Sequence, residues 1–143
     1  MSLIGEYDSK NIFAKILSGD IPCAKVYEDA RVLSFMDAFP QSKGHTLVIP
    51  KVKARNLFDI PSEHLQNLIH QTQRIARAVN DTLEPDGIRI AQFNGETAGQ
   101  TVFHLHFHII PCWDAGKLKG HASGEMAAMS DLLETAARIK AAL

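Results

Sequence analysis

The chain has 143 residues, of which 45% are hydrophobic and 22% are charged, and its formal net charge at pH 7 is -1. These values are typical of one globular domain and exclude a disordered or fibrous chain. The balanced charge gives no basic excess for a nucleic-acid backbone, no apolar run approaches the ~20 residues of a membrane span, and the N-terminus lacks a signal peptide. We therefore expect a soluble, cytoplasmic protein with a single domain over residues 1–143.

The first half of the chain predicts a short helix and then three strands. Ser9 is positioned to cap the helix, which would end at Ser18-Gly19 and place four apolar residues on one face: Ile12, Phe13, Ile16 and Leu17. Strand-like runs follow at residues 24–27, 32–36 and 46–49, separated by turn residues.

The second half predicts a long helix, two further strands and a last helix. Apolar positions stepping by three and four give residues 62–83 one buried stripe: Leu65, Leu68, Ile69, Thr72, Ile75, Ala76, Val79 and Leu83. Strands at 88–93 and 101–110 flank a glycine-containing connection, residues 112–129 are loop-like, and a helix from Ser130 buries Leu132, Ala136, Ile139 and Leu143. Consecutive hairpins with the helices set apart favour an α+β fold with an antiparallel sheet.

Three histidines alternate near the end of the last predicted strand, at His104, His106 and His108. Period two places them on one strand face, about 6.6 Å apart, where two imidazolium rings would repel by about 2.5 kcal/mol. At least one ring should then be neutral and nucleophilic, while another carries a proton for a leaving group. This division favours phosphoryl or nucleotidyl transfer.

Two other interpretations of the histidines remain open. The three rings can form a solvated polar sheet face, or two of them can bind zinc, although only Cys112 and Asp114 lie nearby as further ligands. Cys23 and Cys112 are too far apart for a C-x-x-C pair and are expected to be reduced thiols. Gly95 and the run Gly99-Gln100-Thr101 could present backbone N–H groups and a hydroxyl to a phosphate.

Residues 104–110 resemble the motif of the histidine triad (HIT) superfamily, His-x-His-x-His followed by two apolar residues. The resemblance covers about residues 11–111, including 43–51, 94–95 and 98–103, and is strongest to the Hint branch; the loop and helix of 112–143 match nothing firmly. It implies a five-stranded antiparallel sheet with one long and one or two short helices, joined to a second copy as a ten-stranded homodimer. It also implies nucleotide hydrolysis or transfer at the α-phosphate.

The resemblance assigns a role to each histidine of the motif. It implies that His106 attacks phosphorus to give a nucleotidyl-histidine, that His108 contacts the phosphate, and that His104 and His45 lie behind His106 and fix its tautomer. His64, His70 and His121 are assigned to the surface or to helices. No cofactor or metal is expected, because the C-x-x-C of many zinc-binding relatives is replaced at Asn11 and Ala14.

The resemblance also implies a set of nucleotide contacts. Those to phosphate are Gly99, Gln100 and Thr101, with Asn94 near ribose and phosphate; those to ribose are Asp37 and Ala38; those to the base are Phe13, Ile16, Ile21 and Phe35. The leading hypothesis is a phosphoramidase-like hydrolase of purine nucleoside monophosphate conjugates. The alternatives are a dinucleoside polyphosphate hydrolase like the Fhit branch and a non-catalytic nucleotide-binding interaction protein. The expected partners are a purine nucleotide and a second copy of the chain, with no nucleic acid and no membrane.

Overall fold

The computed structural model describes residues 3–114, 118–120 and 125–143. These residues form three helices, five strands and one 3-10 turn, Glu96–Ala98, which precedes the last of the strands. The helices are α1 (Ile12–Leu17), α2 (Ser62–Leu83) and α3 (Met129–Ala141); the strands are β1 (Lys25–Glu28), β2 (Val32–Met36), β3 (Thr46–Pro50), β4 (Gly87–Ala91) and β5 (Phe107–Cys112). In the described part of the chain, no helix is both long and apolar enough to cross a bilayer.

The five strands form one antiparallel sheet in the order β1-β2-β3-β5-β4. The predicted α+β class is confirmed, with β5 inserted between β3 and β4 although it is the last strand in the sequence. Because side chains alternate across a strand, β2 and β3 contribute to both faces of the sheet. One face packs on α2 and α3, and the other packs on α1.

The long amphipathic helix is confirmed at both ends. Residues 62–83 are α2, which ends where Glu84 adopts a left-handed conformation (φ 49°). Leu68, Ile75 and Val79 of its stripe are fully buried beneath the sheet. In α3, Leu132, Ala136 and Ile139 are buried as predicted, and Leu143 packs against the same core from just beyond the helix end.

Ile69 contradicts the predicted stripe, because its side chain is 45% exposed. It borders a cavity of about 430 Å³ between α2 and the edge strand β4, together with Ile88 and Ile90. Ile90 is also 45% exposed. This apolar edge patch, formed by Ile69, Ile88 and Ile90, is open to solvent in one copy of the chain.

The predicted cap of α1 is also wrong. The side chain of Asn11, not that of Ser9, accepts the hydrogen bond from the Ala14 N–H (2.9 Å), since Asn11 is the residue directly before the first helical position. Of the four apolar residues, Phe13 is buried and Ile12 is 47% exposed. The six-residue helix therefore reaches the sheet mainly through Phe13, with Ile16 and Leu17 packed partly against the same cluster.

The strand predicted over residues 101–110 begins later, at Phe107. Its partner β4 ends at Ala91, opposite His108, and the chain then leaves the sheet toward the 3-10 turn. Upstream of Phe107 the backbone pairs elsewhere, since the Leu105 N–H donates to the Ala54 carbonyl (2.8 Å). Of the three alternating histidines, only His108 consequently lies in a strand.

Candidate functional site

The sheet register brings three polar side chains together. Asp37 directly follows β2 and His45 directly precedes β3, and the Asp37 N–H donates to the His45 carbonyl (2.9 Å). His108 of β5 is opposite Leu47 of β3. Period-two alternation then places Asp37, His45 and His108 on the sheet face that packs on α1.

Gly44 allows His45 to enter this position. Its φ is +90°, a conformation that side chains rarely adopt, and an added Cβ would lie 2.2 Å from the Leu83 side chain. The loop between β2 and β3 can therefore pass close to the end of α2 only with glycine at this point.

The hydrogen bonds of His45 determine which nitrogen of His108 carries a proton. The Gln41 N–H donates to His45 Nδ1 (3.0 Å), which must be unprotonated, so the proton of a neutral His45 is on Nε2. Nε2 lies 2.9 Å from His108 Nδ1, which therefore accepts. A neutral His108 then carries its own proton on Nε2.

His106 has the opposite tautomer. Its Nδ1 lies 2.6 Å from the backbone carbonyl of His104, which can only accept, so Nδ1 is the donor. A neutral His106 then has its lone pair on Nε2, the nitrogen that can attack an electrophile. Its ring is 5% exposed and packs between Phe13 and His108, with centroids 4.9 Å and 5.0 Å away.

His104 is a buried structural residue. Its Nε2 donates to the Pro50 carbonyl (2.8 Å), and the Tyr7 hydroxyl donates to its Nδ1. Burial lowers the pKa of His104 and raises that of Tyr7, so the ring is neutral and the phenol protonated. Of the two residues expected to fix the tautomer of His106, His104 does so through its backbone carbonyl, whereas the ring of His45 bonds to His108.

All three alternating histidines are buried, which excludes the solvated polar face as their explanation. The distances between neighbouring rings are also shorter than the spacing of about 6.6 Å expected along one strand. His106 and His108 approach to 5.0 Å, and His45 lies 5.1 Å from His108. At these separations two positive charges would repel strongly, in keeping with the neutral tautomers that the hydrogen bonds define.

Asp37 is the acidic group of the cluster. Its Oδ1 accepts from the Phe39 N–H (2.8 Å), and its Oδ2 lies 3.4 Å from His45 Nε2, longer than an ordinary hydrogen bond. Burial raises the pKa of Asp37 to about 6, although the Phe39 N–H opposes the shift. The carboxyl is therefore ionised at neutral pH and protonated in mildly acidic solution. Its neighbour Ala38 is half-buried.

The segment expected to bind phosphate is rigidly built. Gly99 has a φ of +107°, and the Gln100 side chain, 2% exposed, accepts from the Gly95 N–H and donates to the carbonyls of Arg55 and Val102. The side chain of Gln100 is thus committed to the loop, and its N–H also donates within it, to the Gly95 carbonyl (3.0 Å). Thr101 is exposed at the end of this loop.

The other predicted nucleotide contacts lie close to this loop or in the core. The Asn94 side chain accepts from the Leu57 N–H (2.9 Å) and pairs with Gln92. Phe13 and Phe35 are buried and stack edge to face at 5.4 Å, and Ile16 packs on the same cluster. Ile21 is half-buried. Phe13, Phe35 and Ile16 belong to the core on the α1 side of the sheet, and Phe13 connects that core to His106.

Among the described residues, one group of side chains could hold a metal ion: Asp37, His45 and His108. Two nitrogens bound to tetrahedral zinc lie about 3.3 Å apart, given bonds of about 2.0–2.1 Å. His45 Nε2 and His108 Nδ1 are closer, at 2.9 Å, and the Gln41 amide already orients His45 for a hydrogen bond. The geometry fits a shared proton better than a metal.

Sequence reasoning missed two participants, Tyr7 and Gln41. Tyr7 reaches His104 across 97 positions of the chain, and Gln41 acts on His45 through its backbone amide, which every non-proline residue possesses. Neither carries a local signal. His64 and His70 lie in α2 as expected, and His121 lies outside the described residues.

Comparisons with known proteins give consistent matches. A family model described as "HIT domain" matches residues 18–114. Protein hit of Bacillus subtilis is 50% identical over 105 residues, covering 73% of this chain and 72% of that protein. Adenosine 5'-monophosphoramidase hnt1 of Schizosaccharomyces pombe is 42% identical over 100 residues, covering 70% of this chain and 72% of that protein. The crystal structure of a Hit-like protein involved in cell-cycle regulation from Bartonella henselae, with an unknown ligand, has a TM-score of 0.91 and 45% identity, covering 97% of this chain and 100% of that one.

Proposed function

This chain belongs to the HIT family, and from that premise we propose that it hydrolyses purine nucleoside monophosphate conjugates, phosphoramidates above all, through a covalent nucleotidyl-histidine. The similarity to a fungal adenosine 5'-monophosphoramidase supports this substrate class. The observation that carries the proposal is the pair of opposite tautomers on neighbouring rings. His106 has a lone pair on Nε2, and His108 has a proton on Nε2.

In the first step, His106 Nε2 attacks the α-phosphorus and a P–N bond forms while the bond from phosphorus to the leaving amine breaks. His108 Nε2–H donates its proton to the departing nitrogen, so that a neutral amine leaves and His108 becomes an imidazolate, whose negative charge is offset by the positive charge that forms on the His106 ring, 5.0 Å away between centroids. The carbonyl of His104, which holds His106 Nδ1–H at 2.6 Å, stabilises the positive charge that develops on the ring.

In the second step, water attacks the nucleotidyl-histidine from the side that the amine has vacated. His108, now unprotonated at Nε2, accepts a proton from the water, and the P–N bond to His106 breaks. The nucleoside monophosphate leaves, and both rings regain their starting tautomers. No metal participates in either step.

The remaining contacts bind the nucleotide. We assign the ribose hydroxyls to the ionised carboxylate of Asp37, with Ala38 beside it, because a carboxylate can accept two hydrogen bonds. The phosphate is assigned to His108 and Thr101, because the N–H groups of Gly99 and Gln100 already donate to the carbonyls of Glu96 and Gly95, and Asn94 is assigned to the ribose side. The base is assigned to the apolar surface of Phe13, Ile16, Ile21 and Phe35.

We also propose that the enzyme is a homodimer joined through β4. This strand is the edge of the sheet, and an unpaired edge beside apolar side chains is a surface that another strand can cover. A second β4, pairing antiparallel, would extend five strands to ten and bury the apolar edge patch of Ile69, Ile88 and Ile90. The patch borders the cavity of about 430 Å³ described above.

The test of the catalytic proposal uses adenosine phosphoramidate carrying ³²P at phosphorus. We expect turnover to AMP and, after acid-free quenching, label on the protein that survives alkali and is lost in acid. His106→Ala should abolish both, whereas His70→Ala, an exposed histidine of α2, should change neither. Label that persists in His106→Ala would overturn the assignment of the nucleophile. Faster turnover of diadenosine polyphosphate would favour the Fhit-like alternative, and AMP binding without turnover would favour the non-catalytic one.

A further inference from the structure

Gln41 connects His45, which bonds to His108, with Lys119 in the chain that follows β5. It lies in the loop between β2 and β3, and its side chain is 8% exposed. Its N–H donates to His45 Nδ1 (3.0 Å). Its side-chain Nε2 donates to the Lys119 carbonyl (2.8 Å), and its own carbonyl accepts from the Lys119 N–H (3.0 Å).

A second backbone contact supports the same loop from the same part of the chain. The Ala127 N–H donates to the Ala38 carbonyl (2.8 Å), beside Asp37. Residues 118–120 and 125–128 thus hold the loop at two points, Ala38 and Gln41. None of these hydrogen bonds needs a catalytic side chain, yet Ala38 directly follows Asp37, and Gln41 supplies the amide that faces His45.

We propose that Gln41 is a positioning residue for the reaction, through which the segment after β5 selects the tautomer of His45 and hence of His108. The two bonds to Lys119 hold the side chain and the carbonyl of Gln41, and so fix the backbone of this residue, whose N–H points at Nδ1 of His45. A proton on that nitrogen would put N–H against N–H at 3.0 Å. His45 therefore keeps its proton on Nε2, and His108 keeps its own on the nitrogen that faces the leaving group.

Loss of the bonds to Lys119 frees the backbone of Gln41. His45 can then take a proton on Nδ1, either as the other tautomer or as an imidazolium. In the other tautomer, His45 Nε2 becomes an acceptor. His108 must then carry its proton on Nδ1 to keep the 2.9 Å hydrogen bond to His45. The proton donor for the leaving amine is lost, while the groups that bind the nucleotide are unchanged.

Other charged groups also face His45 and belong in any account of its protonation. Asp37 lies 3.4 Å from Nε2, and His108 contacts the same nitrogen. His45 also borders a cavity of about 300 Å³ whose lining includes Lys43 of its own loop and, from α3, Asp131 and Glu134. The three carboxylates favour a charged His45, and the Gln41 amide opposes it.

The inference rests on the proposed function and is tested with the full-length enzyme. Gln41→Met keeps the shape of the side chain but removes the donor to Lys119, and Lys119→Pro removes the N–H that binds the Gln41 carbonyl. Gln66→Met, the same substitution at an exposed position of α2, is the matched control. Nitrogen-15 NMR of the histidine rings reports the tautomers without any need for activity, and kinetics with adenosine phosphoramidate over a range of pH report their effect.

In Gln41→Met and Lys119→Pro we expect His45 to gain signal from protonated Nδ1 and kcat to fall roughly tenfold, less than the ~100-fold or more that loss of an acid catalyst costs. KM should stay near its native value, and the acidic limb of the pH profile of kcat should move to higher pH. If both variants melt as folded proteins and keep the native tautomers and the native pH profile of kcat, the inference is wrong. A loss confined to KM would also overturn it. An inactive native enzyme with the expected tautomer change would refute only the proposed function.

Discussion

Replacing Asp37 with Asn should make the protein more stable at pH 8 and a poorer enzyme. The side chain is 17% exposed, and its Oδ1 accepts from the Phe39 N–H (2.8 Å), a bond that the Asn carbonyl can keep. Asn has nearly the same shape and no charge. The substitution therefore removes the buried negative charge and little else from the fold.

The magnitude follows from the pKa of Asp37, which burial raises from 3.8 to about 6. Because the folded state holds the proton more tightly, the carboxyl stabilises the fold below pH 3.8, and this contribution is lost as the pH rises through 6. At pH 8 the ionised carboxylate costs about 3 kcal/mol, at about 1.36 kcal/mol per pKa unit. Partial solvent exposure makes this an upper bound, so we expect Asp37→Asn to gain between about 1.5 and 3 kcal/mol.

Urea unfolding at pH 8 and pH 4 measures this gain, which should be large at pH 8 and almost absent at pH 4. Asp20→Asn, at an exposed position, removes the same charge as a control and should change the free energy of unfolding little. If Asp37→Asn is less stable than the native protein at pH 8, a positively charged His45 holds the carboxylate. That result would refute the neutral tautomers assigned to His45 and His108. If Asp37 binds ribose, KM for adenosine phosphoramidate should rise in the variant and, in the native enzyme, below about pH 6.

Three further outcomes test other parts of the structure. Tyr7→Phe removes the hydroxyl that donates to His104 and should lower the free energy of unfolding by about 1 kcal/mol in urea melts; unchanged stability would show that this hydrogen bond contributes nothing. Ile90→Lys places a charge on the apolar edge patch, and light scattering should find a monomer where the native chain is a dimer; a dimer in both would place the interface elsewhere. Dialysis against EDTA should leave phosphoramidase activity intact, and activity restored only by zinc would revive the metal site.

The fold was largely predictable because its signals are local. The apolar stripe of α2 and the turn residues around β2 and β3 determine where these elements begin and end. The predicted bounds of all three agree closely with the structure. Ile69 differed because the pattern identifies an apolar face but cannot say what covers it. The start of β5 differed because pairing depends on where β4 ends, which residues 101–106 do not encode.

The site was predictable only in part, since its chemistry depends on tertiary contacts. The alternation of His104, His106 and His108 identified the chemical groups, and the resemblance added His45 and Asp37. Which nitrogen of each ring carries a proton depends on the Gln41 amide and the His104 carbonyl. Backbone groups are present at every position, so no residue pattern distinguishes those two.

The position of β5 in the sheet has a consequence for how the chain acquires its structure. A ribosome releases β3 and β4 well before β5, yet the two become neighbours of a common strand only when β5 enters between them. Until then β3 has an unpaired edge, and closing the gap brings Leu47 to His108 across a long segment of chain that includes α2 and β4. The proposed nucleophile, His106, directly precedes β5, so a nascent polypeptide has no complete reactive centre before β5 has been synthesised and has paired with β3.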